Sequence, residues 1–265
     1  MKSFIIESAD EYNLREGVRA SILKEILRSP AHAREMMSNP KPPTIAMELG
    51  TLVHSAILEP DVFEKYVVAP KFDRRTTVGK AAAKDFEEAN SDRVQVDEET
   101  FQIVGGCLES VYSHPIAKEL LSQGRCEMTV TWEEDGLKCK ARPDVYQPGI
   151  LIDVKTTRDA SPQGFARQVA SLKYHLQAAH YLKGVSAVSG LHHETFIFVA
   201  VETTPPFAVG VYQLDFGSLE RGEYLWRQAI DRYRQCLTLD EWPAYSNEIQ
   251  SLGLPAWAFG DLEEE

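Results

Sequence analysis

The stretch ARPDVYQPGILIDVKTT, residues 141–157, most constrains what this chain can fold into. Ile150, Leu151, Ile152 and Val154 form a short apolar run, which predicts a strand buried on both faces at the centre of a sheet. The same strand carries Asp153 and Lys155, which leave on one face because side chains two apart do. Asp144 lies nine residues before Asp153, at the end of the preceding strand. If those strands are neighbours, two carboxylates converge at one end of the sheet. Buried unpaired charge is costly, and close carboxylates repel unless a proton or cation joins them. A hard divalent cation, Mg²⁺ or Mn²⁺, is the natural partner. A lysine beside it can orient a water or stabilise charge on a phosphate oxygen. A surface salt bridge between Lys155 and either acid is the competing reading, and the bare pattern, short and common, favours it.

The flanking sequence supplies the layers. SILKEILRSPAHAREMM has apolar residues at helical spacing, with Ser21 as its expected N-cap. AMELGTLVHSAILEP predicts a second helix, carrying His54 and stopped near Pro60. Residues 61–79 read as irregular, punctuated by Pro70 and Gly79. Acid-rich helices are expected over 80–90 and 97–113. CEMTVTWEEDGLKCKARPDVY alternates on both sides of Glu134-Asp135-Gly136, a hairpin signal that places Glu127 on the first strand. SPQGFARQVASLKYHLQAAHYLKGV predicts one or two helices. Two strands follow, separated by Pro205-Pro206, and then a long amphipathic helix in SLERGEYLWRQAIDRYRQCL. There is no repeat, low-complexity tract or clear linker. The expectation is one α/β domain over residues 1–265, with a central mixed β-sheet flanked by helices. It divides into a mostly helical region to about 122, a core over about 123–237 and an irregular tail over about 238–265.

Charge narrows the partners. The net charge is −12, which argues against a nonspecific polyanion binder. A locally basic groove stays compatible with it, because fields are screened over a Debye length of ~10 Å. The segment KFDRRTTVGKAAAK, residues 71–84, is such a basic island, followed by an acidic run from Asp85 to Glu99. No apolar run approaches the ~18 residues of a membrane span, and the first residues lack the apolar stretch of a secretion signal. Cys107, Cys126, Cys139 and Cys236 show neither a CxxC pair nor zinc-ligand spacing. Reduced thiols in a cytoplasmic protein are expected, with no iron–sulfur cluster.

Residues around the opening stretch then resemble a known signature. Pro143-Asp144 followed by Asp153-Val154-Lys155 is similar to the PD-(D/E)xK nuclease motif. Gln177 and Tyr181 in QAAHY resemble the Q-x₃-Y element of the RecB-like nucleases, and His54 resembles their helix-borne metal-binding histidine. More narrowly, FDRRTTVGK, CKARPD, DVKTT, YHLQAAHY and DEWPAYSNEIQSLGLPAWA resemble the C-terminal nuclease domain family of RecE, exonuclease VIII. The likeness runs from about Ser21 to about Trp257, so the chain resembles a free-standing version of that domain. It implies a restriction-endonuclease-like core and Mg²⁺-dependent 5′-to-3′ exonuclease action on double-stranded DNA ends, leaving 3′ overhangs for strand annealing. It also implies a ring-shaped homo-oligomer, trimer or tetramer with the tetramer favoured, and a single-strand annealing protein as partner.

Carried over by residue, the resemblance makes Asp144, Asp153, the Val154 carbonyl and His54 metal ligands, with Glu127 a candidate for a second ion. Lys155 positions or activates the attacking water, and Gln177 and Tyr181 contact DNA backbone or hold the site. Arg74, Arg75 and Lys80 are candidate phosphate contacts, since arginine forks suit phosphate oxygens. Arg15, Arg19 and Ser21 are candidates for a 5′-phosphate site near a helix start. Two alternatives remain: another PD-(D/E)xK nuclease, structure-specific or single-strand, and a non-catalytic DNA-end-binding recruiter.

Overall fold

In the computed structural model, which describes residues 3–255, the run Ile150–Thr157 is the middle strand of five. The chain opens with β1 (Ser3–Ile5), α1 (Ala9–Leu14), α2 (Ala20–Ile26), α3 (Pro30–Ser38), α4 (Ile45–Leu58) and α5 (Pro60–Phe63). Next come β2 (Tyr66–Val68), α6 (Thr77–Ala89), β3 (Val94–Val96), α7 (Glu98–Ser113) and α8 (Pro115–Ser122). The remainder is β4 (Arg125–Cys126), β5 (Thr129–Glu134), β6 (Leu137–Ala141), β7 (Val145–Gln147), β8 (Ile150–Thr157), α9 (Pro162–Ser171), α10 (Tyr174–Ser189), β9 (Thr195–Glu202), β10 (Val209–Gln213) and α11 (Phe216–Leu239).

The principal sheet has the order β10-β9-β8-β7-β4. It is mixed: β8 and β9 run parallel, and the other neighbours are antiparallel. The period of two along β8 sorts its side chains between two cores. Leu151 shares one with Phe196, Phe198, Leu176 of α10 and Trp226 and Ile230 of α11. Ile152 and Val154 share the other with Val53 and Ile57 of α4 and Val104 and Val111 of α7. Burying each such side chain contributes about 1.5–3 kcal/mol, so this central strand anchors both layers.

One ladder is cut short. Strand β9 follows β8 for its whole length, from Ile150↔Thr195 to Thr157↔Glu202. Strand β7 pairs only from Gln147↔Ile150 to Val145↔Ile152. Beyond Ile152, the β7 side of β8 is an open edge, and Asp153, Val154 and Lys155 lie there.

Several local expectations change. The helix expected from Ser21 onward is two helices, because Ser29 caps a new start at Pro30 by accepting from the His32 N–H. Ser21 is not an N-cap; α2 begins at Ala20 after Arg19, without a side-chain cap. The start is set by tertiary pairing: Val18 bridges to Cys139, with Val18 N donating to Lys138 O at 2.9 Å and Lys140 N donating to Val18 O at 2.9 Å. Residues 61–79 are not wholly irregular, since they hold α5, β2 and the start of α6. Strand β2 is stabilised by parallel pairing with β3, a non-local contact invisible to local pattern. The hairpin of β5 and β6 belongs to a separate three-stranded sheet with β1. Glu127 therefore precedes β5 in a left-handed turn at φ 53°, and Asp144 lies between β6 and β7 rather than at a hairpin strand's end.

Beyond α11, residues 240–255 hold no helix or strand. Trp242 packs edge-on against Tyr233 and under Arg34. The end of the tail resemblance, including Trp257, falls outside the described residues.

Candidate active site

The open edge of β8 explains how the carboxylates are held. The chain turns away from β8 before Val145, and Asp144 replaces the missing strand with its side chain: its Oδ2 accepts the Val154 N–H at 2.6 Å. Its backbone is fixed as well, since Asp144 O accepts from Glu127 N at 3.0 Å. From α4, on the other side, His54 places Nε2 2.6 Å from Asp144 Oδ2 and Nδ1 3.2 Å from Glu127 Oε1. Arg142 secures Glu127, with Nε 2.8 Å from Oε2, while its Nη2 lies 3.3 Å from Glu59 Oε1.

Asp153 belongs to a second group. It is fully buried and leaves β8 on the α10 side, where Gln177 Nε2 donates to its Oδ1 at 3.0 Å. Its Oδ2 forms an ion pair with Lys155 Nζ. Lys24 of α2 donates to Gln177 Oε1 at 2.9 Å, and the ammonium groups of Lys24 and Lys155 lie 4.9 and 5.1 Å from the Tyr174 ring centroid. Tyr181, one turn beyond Gln177, also lines the cleft above the site.

The charges follow from this packing. Burial and the nearby Asp144 charge push Asp153 up to about 6. Burial would also raise Asp144, but the His54 imidazolium overrides it and holds that carboxylate below its usual value. Burial alone would depress His54; Asp144 and Glu127 outweigh it and hold the imidazole protonated up to about 10. Burial likewise opposes the Lys155 charge, and Asp153 and Asp144 keep it above the ordinary lysine value. Lys24 has no adjacent carboxylate: burial, then the Lys155 charge, bring it down to about 7. Burial raises the Tyr181 phenol well above its usual value, so it remains a hydrogen-bond donor at neutral pH.

His54, Glu127 and Asp144 each offer a ligand atom, and those atoms all lie within 4.8 Å of one another. Two carboxylates and an imidazole on rigid backbone are a fitting donor set for a hard divalent ion. With His54 set between Asp144 and Glu127, the two carboxylates favour positive charge at this position. Asp153 is adjacent to the trio but outside it.

A cleft of about 1500 Å³ opens over these residues. Its wall includes Ser8, Tyr12 and Asn13 of the N-terminal region, Met47, Gly50 and His54 of α4, and Arg167 and Gln168 of α9. Lys65, Arg158 and Arg167 put positive charge along it. The other cationic candidates lie elsewhere. Arg74 is paired with Glu87 at 2.7 Å and Arg75 with Asp73 at 2.8 Å, and these arginines and Lys80 are not among the residues lining the cleft. Arg15 is ion-paired with buried Glu7, and Arg19 Nη1 donates to Asn13 Oδ1 at 3.2 Å. Neither reaches the cleft wall, and Ser21 lies in the first turn of α2.

Sequence reading missed Lys24, Arg142, Arg158 and Arg167. Lys24 carried one signal, a lysine beside Leu23 and near Ile26 in a stripe that proves fully buried. Arg158 directly follows the β8 signature, a place where the chain must leave the site.

A family model described as a PDDEXK-like domain of unknown function (DUF3799) matches residues 20–255. The chain belongs to this family. Membership in this PDDEXK-like family implies a nuclease-type fold and a divalent metal. The fold agrees: a crystal structure of a provisionally named exonuclease from Eubacterium rectale superposes with TM-score 0.66 at 13% identity, covering 97% of this chain and 99% of that one. A phage-related exonuclease from Haemophilus somnus matches at TM-score 0.34 and 12% identity, covering 88% of this chain and 100% of that one. No curated protein matches. Among the described residues no helix is long and apolar enough to cross a membrane.

Proposed function

We propose that this PDDEXK-like domain is a divalent-metal-dependent exonuclease that degrades double-stranded DNA from 5′ ends and leaves 3′ single-stranded overhangs. The observation that carries the reading is the convergence of Asp144, Asp153, Lys155 and His54 at an open strand edge beneath a cleft. At about 1500 Å³, that cleft exceeds the ~300–1000 Å³ typical of small-molecule sites and suits a polymer. The 5′-to-3′ polarity rests on the RecE-like resemblance of the motifs.

Asp144, His54 and Glu127 would hold the ion, with Asp153 beside them as a further ligand. A divalent ion there supplies Lewis acidity toward a phosphate oxygen and lowers the pKa of a bound water. The remaining work falls to the chain. Lys155 presents a positive charge for a non-bridging oxygen, where transition-state charge grows. Gln177 holds Asp153, and Tyr181 offers a phenolic donor to the backbone. Arg158 and Arg167 grip flanking phosphates without reading bases. Water attacks phosphorus, the bond to the 3′-oxygen breaks, and the released nucleotide keeps that hydroxyl. A ring of three or four copies in the cytoplasm, passing its 3′ overhang to an annealing protein, completes the proposal.

End-labelled linear duplexes test polarity. Early release of a 5′ label with a persistent 3′ label is expected. Early loss of the 3′ label, or cleavage of closed circles at the same rate, would contradict the reading.

A further inference from the structure

We infer that Lys24 is a positioning residue that fixes the Asp153 carboxylate by orienting the side-chain amide of Gln177. The inference rests on the metal-centre reading above and adds a residue from the helical N-terminal region to it. Gln177 has one end that donates and one that accepts, and a flip exchanges them. Asp153 Oδ1 requires the donating end, and Nε2 is 3.0 Å from it. Lys24 Nζ, 2.9 Å from Oε1, requires the accepting end when it is an ammonium. A flip would set Oε1 against the carboxylate and the amide N–H groups against the ammonium. While it carries its charge, the lysine therefore disfavours one of the two amide orientations, the same one that the Asp153 carboxylate disfavours from the other end.

The consequence reaches Asp153. With Oδ1 committed to Gln177, Oδ2 is the oxygen that faces Lys155. Freed of Lys24, Gln177 would keep only one of the two partners that fix its amide, and the bond that sets the rotation of Asp153 about its terminal torsion, a soft one, would loosen. Tyr174 supports the arrangement, because its ring contacts both ammonium groups and cations over an aromatic ring are attracted to it. Lys24 is not on the cleft wall, so it acts through Gln177 and not on substrate. A lysine that merely pinned α2 to α10 would contribute to stability and leave the metal centre unchanged.

The test is a double-mutant cycle on the full chain with Lys24→Met and Gln177→Ala, reading Mn²⁺ affinity by calorimetry beside turnover. Outer partners of metal ligands typically contribute about 10–100-fold in affinity or activity. Each single variant should weaken Mn²⁺ binding by about 10-fold, at the low end of that range. The double variant should be no worse than the poorer single one, and Lys24→Arg should retain most of the affinity. Wild-type Mn²⁺ affinity in Lys24→Met, additive losses in the double variant, or failure of both Lys24→Met and Lys24→Gln to fold would each overturn the inference. If the wild-type protein binds Mn²⁺ in a Lys24-dependent way yet cuts no DNA, the proposed function fails and the positioning role stands. If it binds no Mn²⁺, the metal-centre reading fails and takes this inference with it.

Discussion

Two histidines, His54 on α4 and His180 on α10, sit in regions that treat charge in opposite ways. His54 lies between Asp144 and Glu127, and their charges keep it protonated up to about 10. His180 is fully buried against Trp132, at 4.8 Å between ring centroids. It accepts from Trp226 Nε1 at its Nδ1 and places Nε2 3.0 Å from Lys140 O. That pair of partners fixes a neutral tautomer with the proton on Nε2, and burial pushes its pKa down to about 4. One region stores charge beside an open cleft and the other excludes it from a core. Residue type and helical setting do not separate them; the neighbours do.

The largest effect that could break this comparison is on turnover. Asp153→Ala should lower cleavage by about 10³-fold or more, since it removes a candidate metal ligand and the partner of Lys155. The variant should stay folded, because relief of the repulsion from Asp144 offsets part of the cost of leaving Lys155 without its Asp153 partner. A variant with wild-type turnover would put Asp153 outside the chemistry and leave the region a structural charge cluster.

The second effect is the pH dependence of folding set by His180. Its folded pKa is depressed below the ordinary histidine value, so below that value the unfolded state binds a proton that the folded state refuses. Stability from this group is fully present above pH ~6.5 and falls by about 3 kcal/mol as pH drops toward 4. His180→Gln keeps a donor toward Lys140 O and cannot titrate. It should be about 1–3 kcal/mol less stable at pH 7, through the lost Trp226 partner, and show a flatter acid limb in denaturant titrations. An unchanged acid limb would move that sensitivity to other groups.

For His54 the linkage is to metal binding. An ion entering between Asp144 and Glu127 must displace the imidazolium proton, so apparent Mn²⁺ affinity should rise by up to about tenfold per pH unit between pH 6 and 8. His54→Gln should weaken binding by about 10–100-fold and flatten that slope. A pH-independent affinity in the wild-type protein would mean that the ion binds away from His54.

How much of this was legible depends on the range of the forces involved. The strand from Ile150 to Thr157 was readable because a short apolar run after Pro148-Gly149 is a buried-strand signal. The pattern of Asp144, Asp153 and Lys155 alone did not decide between a salt bridge and a metal centre; the family resemblance did. What was hidden was non-local: β7 stopping at Val145, the β2–β3 pairing, and Val18 bridging to Cys139. Lys24 was hidden because its partner Gln177 lies far along the chain. The ion pairs of the basic island at residues 71–84 were not read, because Glu87 falls in the acidic run that follows it and a single acid, Asp73, stands inside it. Folding puts Glu87 beside Arg74 and Asp73 beside Arg75.

That contrast yields the smallest expected effect. Replacing Arg158 and Arg167 with alanine should reduce the salt slope of duplex binding by ~0.9 for each phosphate no longer neutralised. Replacing Arg74 and Arg75 should change it less. The reverse order would restore the 71–84 segment as the grip and place the DNA path outside the cleft.

The most direct measurement is the initial rate of phosphodiester cleavage on linear duplex DNA, with Mg²⁺ and with EDTA, for the wild-type protein and Asp144→Asn. Cleavage by the wild-type protein with Mg²⁺, none with EDTA and none by the variant is the expected result. Cleavage that persists in EDTA, or in a folded Asp144→Asn protein at the wild-type rate, would contradict a metal-dependent centre on the open edge of β8.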